Sequence, residues 1–146
     1  MLFHNLNLEA FCHATENSEK VKGAFSALVP LKINPNDFLE SNFEGSFGNE
    51  IKLIKLEFSN QSVMKDIIHH LQKNISKGPE AFNISDHVTD DRMFWVRFDK
   101  QQAFDGKISF GGDDTIQLKG KIAAFPAKRE RAIEVISDIW DEKPAK

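Results

Sequence analysis

Residues 93–125 read MFWVRFDKQQAFDGKISFGGDDTIQLKGKIAAF, and this stretch decides the fold class. Its first part, residues 93–98, alternates in the manner of a half-buried strand, with Phe94, Val96 and Phe98 on one side and Met93, Trp95 and Arg97 on the other. Residues 107–110 and 115–125 predict two more strands, joined across the turn Gly111-Gly112-Asp113-Asp114. Because strands without an intervening helix pair antiparallel, this stretch predicts an antiparallel region of sheet.

The remaining elements are predicted outward from this stretch. Residues 2–12 alternate as a strand, with Leu2, His4, Leu6, Leu8, Ala10 and Cys12 on one parity. Thr15 offers an N-cap hydroxyl for a helix that Pro30 ends, and residues 31–37 follow as a loop. Residues 38–43 and 51–58 predict two strands around a turn at Gly45 and Gly48. The alternation of apolar and polar residues shifts by one position between residues 53 and 54, which indicates a bulge or a strand that is buried on both faces.

The second half of the chain adds two helices. Asn60 or Ser62 caps the first, which Gly78-Pro79 closes, and residues 81–91 predict a turn or short helical segment. Pro126 opens the second, terminal helix. The order β-α-β-β-α-β-β-β-α predicts an α+β fold in two layers, with an antiparallel or mixed sheet and helices packed on one face. The length of 146 residues suits a single domain, 1–146.

The composition excludes several classes of protein. With 40% apolar and 28% charged residues, the chain is neither disordered nor fibrous. The single cysteine, Cys12, excludes an intramolecular disulfide framework and a multi-cysteine zinc site. No apolar run approaches the ~20 residues that span a bilayer, and no secretory signal is apparent. We therefore expect a reduced, cytoplasmic protein without a membrane partner.

The formal charge of −3 is unevenly distributed. Residues 1–91 carry 8 basic and 13 acidic side chains, whereas residues 92–131 carry 9 basic and 5 acidic ones. Phosphate binding requires a local positive field and not a positive total, because charges beyond ~8 Å are screened at physiological salt. The basic segment is therefore compatible with RNA, although a solvated surface gives the same composition.

The densest polar cluster is residues 97–107, RFDKQQAFDGK. Arginine grips phosphate bidentately, lysine acts as a point charge, and glutamine donates to phosphate or to a base edge. Phe104, if exposed, could stack on an unpaired base. Alternatively, Asp99 pairs with Arg97 or Lys100, and Phe104 fills the core. Lys119 and Lys121 lie on the polar face of a strand, and Lys128, Arg129 and Arg131 begin the last helix, where they extend a phosphate track or form a solvated face.

The sequence carries no catalytic or cofactor signature. His13 has no convergent nucleophile, and Cys12-His13 lacks two further metal ligands at suitable spacing. The adjacent His69 and His70 point in different directions on a helix. The glycines at 45 and 48 lack the lysine and serine or threonine of a phosphate loop. We expect neither a metal nor a cofactor, and no enzymatic activity.

Three segments resemble an archaeal family of RNA-binding proteins or predicted exosome subunits. They are residues 11–16 (FCHATE), residues 47–49 (FGN) and, most specifically, residues 97–107. The resemblance implies an α+β fold similar to ribosomal protein L5 and a role related to RNA, without a catalytic site. It also assigns Arg97, Asp99, Lys100 and Gln101 to a shared polar motif, with Gly48 and Asn49 in a structural turn.

We therefore expect a non-enzymatic, RNA-binding accessory of RNA processing, associated with the exosome, or of the ribosome. Its RNA-binding residues are predicted to be Arg97, Lys100, Gln101, Gln102, Lys107, Lys119 and Lys121. The alternative is a protein-interaction module, homodimeric in one form, because 13 phenylalanines exceed the need of a core of this size. An enzyme using Asp99 or His13 as acid or base is the least favoured hypothesis.

Overall fold

The computed structural model describes residues 1–45, 48–76 and 82–141, and a five-stranded sheet dominates it. The strands are β1 (Phe3–Cys12), β2 (Leu39–Glu44), β3 (Glu50–Phe58), β4 (Met93–Asp99) and β5 (Thr115–Ile122). They are arranged in the order β2-β3-β1-β5-β4, and every neighbouring pair is antiparallel. The first strand of the chain is therefore the middle strand of the sheet.

Helices cover one face of the sheet. They are α1 (Ser18–Phe25), α2 (Gln61–Asn74), the short α3 (Lys100–Phe104) and α4 (Arg129–Asp141). Asn17 caps α1, because its Oδ1 accepts from the amide of Glu19 at 2.8 Å, and Asn60 caps α2 through the amide of Val63 at 3.0 Å. The cap of α1 predicted at Thr15 is therefore wrong by two residues, and one of the two caps predicted for α2 is confirmed.

A single apolar cluster lies between the helices and one face of the sheet. Alternate residues of the strands point into it, including Leu8 of β1, Phe94 of β4 and Leu118 of β5. The helices add one apolar stripe each, such as Ile67 of α2 and Ile136 of α4. The α+β class, with two layers and helices on one face, is therefore confirmed.

The register of the sheet corrects two expectations about parity. A bulge between Phe3 and Leu6 of β1 shifts the alternation, so Phe3 is buried while His4 is exposed, opposite to the predicted parity. In β3 the register is continuous on both sides of Leu53, so the slip there is not a bulge. Leu53 instead lies half-buried on the face of the sheet opposite to the helices.

The strand predicted at residues 107–110 is wrong. This segment forms only isolated bridges, from Ile108 to Ile75 and from Phe110 to Phe98. Residues 100–104, which connect it to β4, form the helix α3. The predicted hairpin is thus replaced by direct pairing of β4 with β5. β5 also ends at Ile122, before residue 125, and α4 begins at Arg129, three residues after Pro126.

The segment of residues 81–91, predicted as a turn or short helix, contains a 3₁₀ turn at Ile84–His87 that Asn83 caps. Gly78-Pro79, predicted to close α2, and Phe47 lie outside the described residues. None of the helices in the described ranges is long and apolar enough to span a membrane.

Candidate nucleic-acid interface

The face of the sheet opposite to the helices carries the residues of interest, and we call it the open face. Directly opposed residues of antiparallel strands share a face. Lys55, Glu9, Gln117 and Arg97 form one such row across β3, β1, β5 and β4. The neighbouring row includes Lys119 opposite Trp95. The open face is therefore polar over the strands β5 and β4.

Three of the predicted RNA-binding residues meet on this face. Arg97 is exposed, and Lys119 and Lys121 follow at alternate positions of β5, where they face Trp95 and Met93. Lys119 Nζ lies 4.0 Å from Glu9 Oε1, which makes a loose and half-exposed ion pair. The positive charge of Lys121 contributes to the lowered pKa of Asp91, after the hydrogen bond that Thr89 donates. The three cations thus form a strip along β5 and β4.

An aromatic ring lies within this strip. The guanidinium of Arg97 stands 5.4 Å from the centroid of Trp95, and the imidazole of His87 lies 4.7 Å from the indole on another side. Trp95 was predicted on the polar side of its strand but without a role in binding. A tryptophan on the solvent side of a strand, two residues before an arginine, was the available signal, because bases stack on such rings.

Lys100 does not belong to this strip, which corrects its predicted role. Its side chain is fully buried, with 0% exposed. Its ammonium donates to Glu16 Oε1 and to the carbonyl oxygen of Phe11, both at 2.8 Å, and pairs with Asp114 Oδ1 at 3.0 Å. Since these three oxygens match the three N–H donors of an ammonium, Lys100 has no hydrogen left for a phosphate in this conformation.

The buried ammonium joins four distant parts of the chain. The carbonyl oxygen that Lys100 binds belongs to Phe11, the penultimate residue of β1. Glu16 precedes α1, Lys100 begins α3, and Asp114 precedes β5. Burial raises the pKa of Glu16, but hydrogen bonds from Lys100 and from the amide of His13 outweigh it and leave that pKa below its usual value. The carboxylate is therefore ionised at neutral pH and stabilises this cluster, which we call the Lys100 cluster.

The Lys100 cluster also contains the one grouping in the described residues that resembles a metal site. His13, Glu16 and Asp114 place one ligand atom each within 4.8 Å of one another. The ammonium of Lys100 already lies within 3.0 Å of both carboxylates, so it supplies the positive charge that a cation would otherwise supply. These residues therefore fit an internal ion-pair network and not a metal.

The rest of the predicted polar motif has a local structural role. Asp99 caps α3, because its Oδ1 accepts from the amide of Gln102 at 3.0 Å, and it pairs with neither Arg97 nor Lys100. The exposed side chains of Gln101, Gln102 and Lys107 lie on α3 or just after it, and α3 packs beside α1 in the helical layer. The structure thus separates these three from the strip on the open face, and their contact with RNA stays a prediction.

The basic residues before α4 do not extend the strip either. The guanidinium of Arg129 donates to the carbonyl oxygens of Val88 at 2.9 Å and of Ser85 at 2.5 Å, and so ties α4 to the 3₁₀ turn. Arg131 pairs with Glu134 at 2.8 Å within α4. The unfavourable position of Arg129 at a helix N-terminus is therefore explained by a structural contact and not by a phosphate track.

The other half of the open face is apolar. Three exposed side chains, Phe11, Leu39 and Phe43, are each about half-exposed, at 51%, 51% and 50%. The half-buried Ile51 and Leu53 lie opposite Phe43 and Phe11 on the same face. We call this group the apolar half, and Glu9 and Lys55 separate it from the cationic strip.

An α+β protein whose open antiparallel sheet carries cations beside an aromatic ring has the surface features of a nucleic-acid-binding domain. Comparison with known proteins agrees: the chain belongs to a family described as RNA binding, which matches residues 5–122. An RNA-binding protein of Pyrococcus abyssi is 32% identical over 145 residues, which cover 95% of this chain and 94% of that protein. The archaeal RNA-binding family expected from the sequence is therefore confirmed.

Solved structures support the same fold. A protein from Archaeglobus fulgidus aligns with a TM-score of 0.82 and 27% identity, over 94% of this chain and 99% of that one. A protein from Methanothermobacter thermautotrophicus aligns with a TM-score of 0.78 and 25% identity, over 97% and 100%. Both are described as DUF54 proteins. The sheet and its helical layer are thus shared by archaeal relatives.

Proposed function

We propose that the protein binds single-stranded RNA on the open face of β4 and β5. Arg97, Lys119 and Lys121 contact phosphates, and Trp95 stacks on a base. The observation that carries this proposal is the strip itself, where Arg97, Lys119 and Lys121 lie on one face of the sheet with the indole of Trp95 next to Arg97 and opposite Lys119. Because screening confines each charge to its surroundings, the net charge of −3 does not prevent such binding.

Salt dependence tests the proposal. Each phosphate neutralised on a single strand contributes about −0.7 to the slope of log affinity against log salt, so three contacts predict a slope of about −2.1. We would titrate a fluorescein-labelled octauridylate and octacytidylate between about 50 and 200 mM salt. The absence of any salt-dependent association with either RNA would refute the proposal.

A matched pair of lysine variants locates the site. Lys119 and Lys55 lie on the same face, on opposite sides of Glu9, and Lys55 is paired with Glu57 at 3.1 Å. Lys119→Met is expected to reduce the slope by about 0.7, whereas Lys55→Met leaves it unchanged. Equal effects of the two variants would mean that RNA does not distinguish the two halves of the open face.

We infer that the protein binds RNA without catalysing a reaction on it. The thiol of Cys12 is buried, and burial together with the charge of Glu16 raises its pKa, which disfavours a nucleophilic thiolate. Asp99 is engaged as a helix cap and His13 borders the Lys100 cluster. Labelled RNA incubated with the protein should remain intact on a denaturing gel, and cleavage that co-purifies with the protein would contradict this inference.

We further propose that the RNA-bound protein is an accessory of the exosome or of the ribosome, with a fold similar to that of ribosomal protein L5. The resemblance of residues 97–107 to predicted exosome subunits and the open-faced sheet support this assignment. Affinity purification from archaeal cells, with and without ribonuclease, tests it. Recovery of neither exosome nor ribosomal proteins would contradict it.

The apolar half favours a second candidate function, the binding of a second copy of this chain. Leu39 and Phe43 lie on β2, which ends the sheet and pairs only with β3 among the described strands. Two copies that pack these faces against each other would cover both apolar halves. Sedimentation equilibrium at high concentration should then give a dimer that Phe43→Asp dissociates, and a monomer throughout would exclude this function.

A further inference from the structure

A cavity of about 360 Å³ lies at the outer edge of β4. Two segments cover this edge at separate points. His87 binds the carbonyl oxygen of Trp95 from the 3₁₀ turn, and the amide of Gly111 donates to the carbonyl oxygen of Arg97 at 2.8 Å from the loop before β5. The cavity opens between the two segments. Its volume is at the small end of the ~300–1,000 Å³ typical of ligand sites, so it suits one small planar group.

Aromatic rings form a continuous wall of this cavity. Phe110 stacks on Phe82 at 5.1 Å with an interplanar angle of 10°, Phe82 meets His87 at 4.3 Å, and His87 meets Trp95 at 4.7 Å. Arg97 continues the series over Trp95. All five residues line the cavity. A wall of ring faces ending in a guanidinium provides stacking and cation–π contacts for a flat, polar ring.

Beside the guanidinium of Arg97, two side chains of the lining supply hydrogen-bond acceptors. The carbonyl oxygen of Trp95 can only accept, so His87 Nδ1 donates to it at 2.9 Å and Nε2 keeps its lone pair. Burial lowers the pKa of His87, which keeps the ring neutral at pH 7. Asp86 adds an exposed carboxylate. The two acceptors, His87 Nε2 and the Asp86 carboxylate, therefore match a ligand edge that bears N–H donors.

The cavity is continuous with the proposed RNA surface. Trp95 and Arg97 belong both to the strip on the open face and to the cavity wall. A strand of RNA that follows the strip thus passes the mouth of the cavity at the edge of the sheet. The hydrogen-bonded edge of an unpaired base is accessible in single-stranded RNA, whereas pairing hides it in a duplex.

We propose that this cavity binds one unpaired base of the RNA. It prefers a base with an exocyclic amino group, because that group can donate a hydrogen bond to the carboxylate of Asp86. This inference rests on the proposed RNA-binding function and deepens it. Cytosine and uracil distinguish the chemistry, because they share one ring size and differ at position 4, where cytosine has an amino donor and uracil a carbonyl acceptor.

The experiment compares fluorescein-labelled octacytidylate and octauridylate on the wild type and on Asp86→Ala, which removes both the acceptor and the charge, by fluorescence polarisation at fixed salt. The wild type should bind octacytidylate about tenfold more tightly, which is typical of one good base contact. Asp86→Ala should weaken octacytidylate about tenfold and leave octauridylate unchanged or slightly tighter. Comparing the two differences cancels the intrinsic stacking of each base.

The sign of the effect makes the test decisive. If Asp86 only borders the RNA, removal of its negative charge tightens both octamers equally, which would overturn the inference. Equal binding of the two octamers by the wild type would also overturn it, while salt-dependent binding would leave the proposed function intact. Failure of both octamers to bind would overturn the function and the inference together. Because Asp86 is exposed, a thermal melt should confirm that the variant folds as the wild type does.

Discussion

Replacement of Lys100 by methionine separates a structural lysine from an RNA-binding one. Methionine keeps the unbranched apolar stem, so the variant removes the ammonium and little else. The removal leaves Glu16 and Asp114 without their central cation, and the carbonyl oxygen of Phe11 without its donor. The Lys100 cluster then holds two carboxylates and no cation to balance them.

The expected loss of stability follows from burial. Removal of one partner of a fully buried ion pair costs ~3–5 kcal/mol. The side chains of Glu16 and Asp114 are 19% and 35% exposed, so water solvates them partly once the ammonium is gone. We therefore expect a loss of about 2–3 kcal/mol in the free energy of unfolding. For a chain of this length, that corresponds to a fall of roughly 5–10 °C in Tm.

Urea unfolding, followed by circular dichroism and tryptophan fluorescence, measures this loss. Lys107→Met is the matched control, because Lys107 is exposed, and it should stay within ~0.5 kcal/mol of the wild type. Below its melting temperature, Lys100→Met should keep the salt slope of RNA binding. A variant as stable as the wild type, with a slope reduced by about 0.7, would refute the reasoning, because Lys100 would then reach a phosphate.

Three further predictions concern stability. Because the folded pKa of Glu16 is lowered, its contribution is present above the usual value of 4.5 and lost as pH falls below it; Glu16→Gln should flatten acid unfolding curves in that range. Arg129→Met should lower the free energy of unfolding by about 1–3 kcal/mol in urea titrations, because two partly buried carbonyl oxygens lose their donor. Gly120→Ala should lower the Tm measurably, because its Cβ would lie 2.8 Å from Leu6 Cδ1 and 2.9 Å from a backbone oxygen, whereas Gly112→Ala meets no atom within 4 Å and should leave it unchanged.

Most of the strands and helices were predicted because alternation, caps and turn residues are visible in short stretches of sequence. Alternation in β4 and the asparagine cap of α2 each depend on a few neighbouring residues. The errors occur where a contact with a distant part of the chain determines the local backbone structure. The bulge near His4 follows from pairing with β5, more than 100 residues later, and residues 107–110 lie against Ile75 and Phe98 in place of a hairpin partner.

In the candidate site, too, features set by local pattern were predicted and features set by distant contacts were not. Arg97, Lys119 and Lys121 were predicted, because period-2 alternation alone puts them on one face of their strands. The burial of Lys100 was not predicted. Its partners Glu16 and Asp114 lie 84 and 14 residues away in the chain, and no sequence spacing indicates ion pairs of that kind. The cavity beside β4 was missed for the same reason, because three separate segments form its wall.

The position of β1 constrains how the chain folds during synthesis. This strand leaves the ribosome before the other four, yet its two neighbours in the sheet are residues 50–58 and 115–122. The second neighbour is made more than 100 residues after β1, so one edge of an apolar strand stays unpaired until then. Pairing at such long separation is slow and exposes intermediates to aggregation, and the nascent protein therefore depends on late, nearly concerted closure of its sheet.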